Sequence, residues 1–179
     1  MVIRSSGAVA LTWDDLQQMP DDGYRRELVN GQLFVTPSPS RRHQRTVVRL
    51  TLLLAMNCSE GLEVLVAPFD WKRSAETVFQ PDLLVIERDD ANGPFTGTPR
   101  LVVEVLSPST RDTDLTLKRL EYERAGVPTY WLVDPDSPSL TVLHLADSSY
   151  HEVARVEGAE PYPADLPFSV TVVPAQLVD

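Results

Sequence analysis

The sequence predicts an α/β (α+β) fold, a mixed β-sheet with helices packed on it, and three observations point there. Runs rich in Val, Ile and Leu, such as Leu83 to Ile86 and Leu101 to Leu106, are bounded by Gly, Pro or Asp clusters as strands are. Two longer stretches, Arg41 to Asn57 and Arg111 to Ala125, carry helical signals instead. The two kinds of segment alternate along the chain, and each helix must bury one apolar stripe against a neighbour.

The elements follow in order. Tyr24 to Val29 and Gln32 to Thr36 are short strand-like runs separated by Asn30-Gly31, a pair that tolerates the positive φ of a two-residue hairpin turn. After Pro37-Ser38-Pro39-Ser40, Val47, Leu50 and Leu54 fall at helical spacing while Arg42, Arg45 and Arg49 form a different stripe, so Arg41 to Asn57 reads as an amphipathic helix with a basic outer side. Leu62 to Ala67, with a continuation toward Lys72, then Thr77 to Glu87 and Leu101 to Leu106, read as the middle of the sheet. Arg111 to Ala125 has acids in its first turn and Gly126 just past its end. Thr129 to Val133, Leu140 to Leu145, Tyr150 to Val156 and Phe168 to Val173 complete a largely β carboxy-terminal half, with Tyr130-Trp131 as core.

At 179 residues and 42% hydrophobic residues, the chain has the length and composition of one globular domain, 1–179. A net charge of −10 argues against a protein that coats nucleic acid non-specifically. The apolar run from Leu50 to Met56 is far short of the roughly 20 residues a membrane span needs. Met1 to Leu11 lacks the pattern of a secretory leader, so a cytoplasmic location is the expectation. One cysteine, Cys58, and three histidines exclude an intrachain disulfide and make a thiolate zinc site implausible, leaving oxygen ligands for any metal.

The chemistry gathers on carboxylates. Glu104 stands in the middle of Leu101-Val102-Val103-Glu104-Val105-Leu106, a run otherwise suited to a strand covered on both faces. An ionised carboxylate there needs a cation, a hydrogen-bond donor or a proton. Pro81-Asp82 introduces a second apolar strand, so Asp82 is the natural partner, and the two could share a hard divalent cation. The alternative makes Asp82 a turn residue and Glu104 the partner of an arginine. Asp114, Lys118 and Tyr122 recur every fourth residue, so Lys118 either reaches back to orient a hydrolytic water or forms an ordinary exposed pair with Asp114, which spacing alone favours. Glu27 either joins the site or pairs with Arg25 or Arg26. His43 lies on the core-facing stripe, where a buried, hydrogen-bonded imidazole is the commoner outcome. Arg41, Arg42, Arg45, Arg49, Arg111 and Arg119 offer local positive surface to phosphates or are simply solvated.

Val78 to Asp82, Val103 to Thr110, Asp114, Lys118, Tyr122, Gly126-Val127 and Tyr130 to Pro135, with Glu27-Leu28, Asn30-Gly31 and His43 upstream, resemble the signature of the Uma-two family, formerly a domain of unknown function and described in terms of restriction endonucleases. The resemblance implies the PD-(D/E)XK nuclease fold, a restriction-endonuclease-like mixed sheet flanked by helices. It implies a metal-dependent endonuclease acting on DNA, with Mg²⁺ or Mn²⁺ held by Asp82 and Glu104, Glu27 as an additional acidic member, and a homodimer. In the usual nuclease motif a lysine lies two residues after the second acid; that position is Leu106 here, and the resemblance points to Lys118 as the relocated equivalent. A nuclease-fold binding or assembly module without activity is the alternative.

Overall fold

In a computed structural model, described for residues 10–89 and 91–179, the predicted hairpin is present. The segment Met1 to Leu11, read above for a leader, lies almost wholly outside the described residues. Strands β1 (Arg25–Val29) and β2 (Gln32–Thr36) pair antiparallel from Arg25↔Thr36 to Val29↔Gln32. Asn30 and Gly31 take φ of 50° and 74°, the left-handed pair that a tight hairpin requires. Ahead of them is a short helix, α1 (Trp13–Gln17), closed by a reciprocal Thr12–Asp15 capping box that the sequence reading did not identify. Helix α2 (Arg41–Asn57) has the bounds the sequence predicts; the Ser40 hydroxyl caps it by accepting the His43 N–H, and Val47, Leu50 and Leu54 are buried.

Two main sheets are stacked. The larger has six strands in the order β10 (Ser149–Glu157), β9 (Ser139–Ala146), β8 (Thr129–Asp134), β7 (Leu101–Val105), β6 (Leu83–Glu87), β3 (Leu62–Val66). It is mixed, because β7 and β8 run parallel while the other neighbours run antiparallel. The smaller has the order β2, β1, β5 (Val78–Phe79), β4 (Trp71–Lys72). One core cluster lies between the larger sheet and α2, the β11–β12 pair (Tyr162–Ala164, Val170–Val172) and helix α5 (Pro174–Val178). The other fills the opposite face with Trp71, Phe79, Tyr122 and Tyr130, so β7 is buried on both sides as its composition requires.

Three expectations change. Thr77 to Glu87 is not one strand: Pro81 cannot donate to a ladder, and the chain crosses there from β5 in the smaller sheet to β6 in the larger. The run after Leu62 likewise stops at Val66, and β4 joins the other sheet. Arg111 to Ala125 is helical but not uniformly α: α3 (Arg111–Thr113) leads through a π-helical turn, Asp114–Lys118, into α4 (Arg119–Arg124). Such turns alter the angular phase of the residues after them and recur at functional sites. The basic stripe of α2 is largely committed within the fold, with Arg45 and Arg49 donating to the Val178 and Gln176 carbonyls at the end of α5. Arg42, Arg111 and Arg119 are held by Asp136, Asp134 and the Tyr150 carbonyl.

The hairpin turn makes a direct test. A Cβ on Gly31 would sit 2.5 Å from the Ala10 Cβ, and the residue's positive φ already disfavours any side chain. Gly31→Ala is expected to lower unfolding free energy by about 1–3 kcal/mol in urea titration, through strain and the forced displacement.

Candidate active site

The crossover at Pro81 places the first acid. Continuing the β6–β7 register of Leu84↔Val102 and Leu83↔Val103 by one step sets position 82 opposite position 104, and opposed residues of an antiparallel pair share a sheet face. Asp82 prolongs the pairing through its side chain, its Oδ2 accepting the Val105 N–H at 2.8 Å. The same oxygen is 3.2 Å from His43 Nε2, while Oδ1 accepts from Arg25 Nη1 at 2.7 Å. Burial alone would raise the Asp82 pKa; the His43 hydrogen bond, the Arg25 charge and the Val105 N–H outweigh it and hold the carboxyl at about 2. Arg25 is thus the cation of Asp82, a partner the sequence reading assigned only to Glu27.

Glu104 sits deeper and is 0% exposed. Its Oε1 accepts from Lys118 Nζ at 2.9 Å and from the Tyr122 hydroxyl at 2.7 Å, while Oε2 is buried without a partner. Burial, reinforced by the charges of Asp114 and Asp82 and opposed by Lys118, pushes its pKa up to about 8. Lys118, 2% exposed, also approaches Glu27 Oε1 at 3.1 Å and Asp114 Oδ1 at 3.4 Å. Its three N–H protons therefore face three carboxylates. Burial would lower its pKa, but those three carboxylates raise it above the ordinary lysine value.

The exposed Asp114–Lys118 pair favoured by spacing is overturned. The 114/118/122 face of the helix packs down over β7, and all three residues are buried. Glu27 arrives from the smaller sheet, where Gln80 N–H donates to its Oε1 at 2.8 Å and Arg25 lies 3.8 Å from Oε2. Burial raises its pKa, and Lys118, Arg25 and the Gln80 N–H together bring it below the ordinary value. Both readings of Glu27 hold at once, since it pairs with Arg25 and also joins the cluster. Arg26 turns away to Asp22 at 2.6 Å. Arg25 and Glu27 are two apart on one strand and so share a face, a signal by which sequence alone could have put Arg25 in the site. His43 is buried and bonded as expected.

In sum of charge, four buried carboxylates, Glu27, Asp82, Glu104 and Asp114, surround two fixed cations, Arg25 and Lys118. Above the cluster opens a cleft of about 550 Å³ whose lining includes Tyr24, Arg25, His43, Gln80, Asp82 and Leu106, together with the loops at 36–40 and 107–110. Glu104 and Lys118 lie behind that wall. Among the described residues no three His, Cys, Asp or Glu side chains form a group that could hold a metal ion. The donor set still fits a hard divalent cation in one respect: Glu104 Oε2 is an orphaned buried carboxylate oxygen, opposite Asp82 in register. Mg²⁺ in particular is usually held by only one or two carboxylates, with water and substrate phosphate completing the shell.

A family model described as "putative restriction endonuclease", Uma2, matches residues 13–174. The chain belongs to the Uma2 family. Its fold is shared with a solved structure from Anabaena variabilis ATCC 29413, titled a putative nuclease belonging to DUF820, at a TM-score of 0.73 and 18% identity over 94% of this chain and 97% of that one. No curated protein matches the Uma2 chain. Among the described residues no helix is long and apolar enough to cross a membrane.

The raised Glu104 pKa has a measurable consequence. A carboxyl that binds its proton more tightly when folded favours folding most below its unfolded value near 4.5, and that contribution is lost as pH rises through about 8. Without divalent metal, stability should fall across that window, and Glu104→Gln should flatten the fall. By pH 8.5 the variant should match or exceed the parent, with a change on the order of 1–3 kcal/mol in the pH dependence of urea unfolding.

Proposed function

We propose that this Uma2 protein is a divalent-metal-dependent endonuclease that hydrolyses DNA phosphodiester bonds at the cleft over Asp82. The observation that carries the reading is the excess of carboxyl groups over cations in the buried cluster, four against two, with Glu104 Oε2 and both Asp114 oxygens left without a hydrogen-bond donor. A divalent cation would take the place of the proton that Glu104 otherwise retains. The family description and the nuclease fold supply the reaction class.

Asp82 and Glu104 are the residues that would hold Mg²⁺ or Mn²⁺. When bound, such an ion lowers the pKa of a coordinated water and stabilises charge developing on the phosphoryl oxygens. The rest falls to the chain itself. Arg25, on the cleft wall, presents its guanidinium to incoming phosphate while fixing Asp82. His43 and the Val105 N–H fix the second oxygen of Asp82, Oδ2. Lys118 and Tyr122 hold Glu104 from behind, and Lys118 ties it to Glu27. With its protons committed to carboxylates, Lys118 acts on the geometry of the acids, a narrower role than the direct water contact the sequence suggested.

The alternative, a nuclease-fold binding module, draws on Leu106, buried where the resembling motif has its lysine. The two readings separate in one comparison. Calorimetry should show Mn²⁺ binding to the parent that is lost in Glu104→Ala and Asp82→Ala, and both variants should lose DNA cleavage by at least about 100-fold. Unchanged metal affinity in Glu104→Ala would end the metal assignment, and metal binding with no cleavage of any DNA would favour the module. Lys118→Ala should behave differently, losing about 3–5 kcal/mol of stability because it strands three buried carboxylates.

A further inference from the structure

Tyr24 is an aromatic side chain that the core does not use. It is 54% exposed, yet it stands on the wall of the cleft beside Arg25. Its backbone is fixed by the turn before β1: Gly23 takes φ of 80°, the Tyr24 N–H donates to Asp22 Oδ1 at 3.2 Å, and its carbonyl accepts from Arg26 at 3.4 Å. The ring is thus half exposed at the cavity mouth, outside the core clusters of the described residues, with Leu16 and Met19 on its other side.

The cleft around it is poorly built for a duplex. Double-stranded DNA presents a phosphate charge about every 1.7 Å along its axis, and proteins that grip it do so with many lysines and arginines. Among the described residues lining this cleft, Arg25 is the one lysine or arginine, and it is already engaged by Asp82, while Asp21 and Asp136 add negative charge. Much of the remaining wall is proline, serine and threonine in the loops at 36–40 and 107–110. A volume of about 550 Å³ is the size of a pocket for a small ligand, enough to take in a nucleotide or two. What such a site can offer an oligonucleotide is a π-face and one cation at the reacting phosphate. Base stacking on an aromatic ring contributes about 1–3 kcal/mol and tolerates any base, because every base has a π-face.

We propose that the cleft takes an unpaired DNA strand, with a base beside the scissile phosphate stacked on Tyr24, so that the preferred substrate is single-stranded or locally unwound DNA. The inference rests on the nuclease reading of the same cleft. Tyr24 is a specificity-determining contact in it, and Arg25 is the phosphate contact.

The test uses the full chain with Mg²⁺ and phosphorothioate DNA that carries 2-aminopurine, as a single strand and as a blunt duplex of the same sequence. The parent should bind the single strand at least about tenfold more tightly than the duplex and should quench the 2-aminopurine emission. Tyr24→Phe should retain both properties, whereas Tyr24→Ala should weaken single-strand binding by about 10- to 100-fold and abolish the quench, with its thermal melt unchanged. Raising salt from 50 to 200 mM should weaken single-strand binding by only about threefold per phosphate engaged. Equal affinity for duplex and single strand, or full binding and quenching by Tyr24→Ala, would overturn this inference while leaving the proposed hydrolysis standing. If the parent binds neither form, both fall together.

Discussion

The constraint on which this structure depends is the burial of unequal numbers of opposite charges. An isolated ionised carboxylate inside a protein is several kcal/mol unfavourable even after relaxation, and four carboxyl groups are enclosed here around Arg25 and Lys118. Two cations can be shared among four acids only if each is placed among several of them. Lys118 is within 3.4 Å of three, and Arg25 bridges two. The residual imbalance appears as a Glu104 carboxyl that holds its proton up to about pH 8 and as oxygens of Glu104 and Asp114 with no hydrogen-bond donor. A fold selected for stability alone would do better with apolar residues of similar volume at these positions. Strongly perturbed buried groups of this kind gather where chemistry or ligand binding needs them.

Two backbone irregularities make the sharing possible. Pro81 ends β5 and sends the chain from one sheet to the other, which sets Asp82 at the seam where the smaller sheet also brings Arg25 and Glu27. The π turn at Asp114–Lys118 lets residues of the helix after β7 converge on Glu104, with Lys118 and Tyr122 both bonding its Oε1. Regular geometry at either place would alter the phase of a charged side chain. On the far side of the larger sheet α2 supplies His43 from its capped first turn, so three separate layers meet at one carboxylate.

The sequence was legible where its physics is local. The Asn30-Gly31 hairpin appears with its first strand starting at Arg25 rather than Tyr24, the α2 helix appears with the bounds that periodicity assigns, and Glu104 was visible as a charge in an apolar strand. Asp82 was found through its neighbour in the motif, and the face shared by Asp114, Lys118 and Tyr122 was read correctly even though its burial was not. Burial of that face is a tertiary fact: nothing in the spacing says that α3 and α4 lie down over β7. The division of Thr77 to Glu87 between two sheets was hidden for the same reason, since a proline between two apolar runs is compatible with an edge strand as well as with a crossover. Gln80 was seen only as part of a motif; its role depends on Glu27, fifty-three residues away, coming within 2.8 Å. Such partnerships are set by sheet order, which one sequence does not display.

The exchange of lysine for Leu106 follows from the same geometry. A residue two positions after Glu104 on an extended strand shares its face, so a lysine there would leave its strand near one acid and end in the cleft. Leu106 instead contributes to the apolar cluster between the sheets and to the cleft wall. The ammonium comes from the helix behind, where it reaches Glu104 on β7 and Glu27 on β1 together and so joins the two sheets by a charge. A cation in that position serves the fold first. Losing it leaves three carboxylates to repel one another in a dry interior, so a fall in activity in a Lys118 variant says nothing about chemistry unless its stability is known. Arg25, His43 and Asp82 line the cleft itself, and in the proposed reaction they would meet the substrate, with Glu104 reaching it only through the ion it would hold.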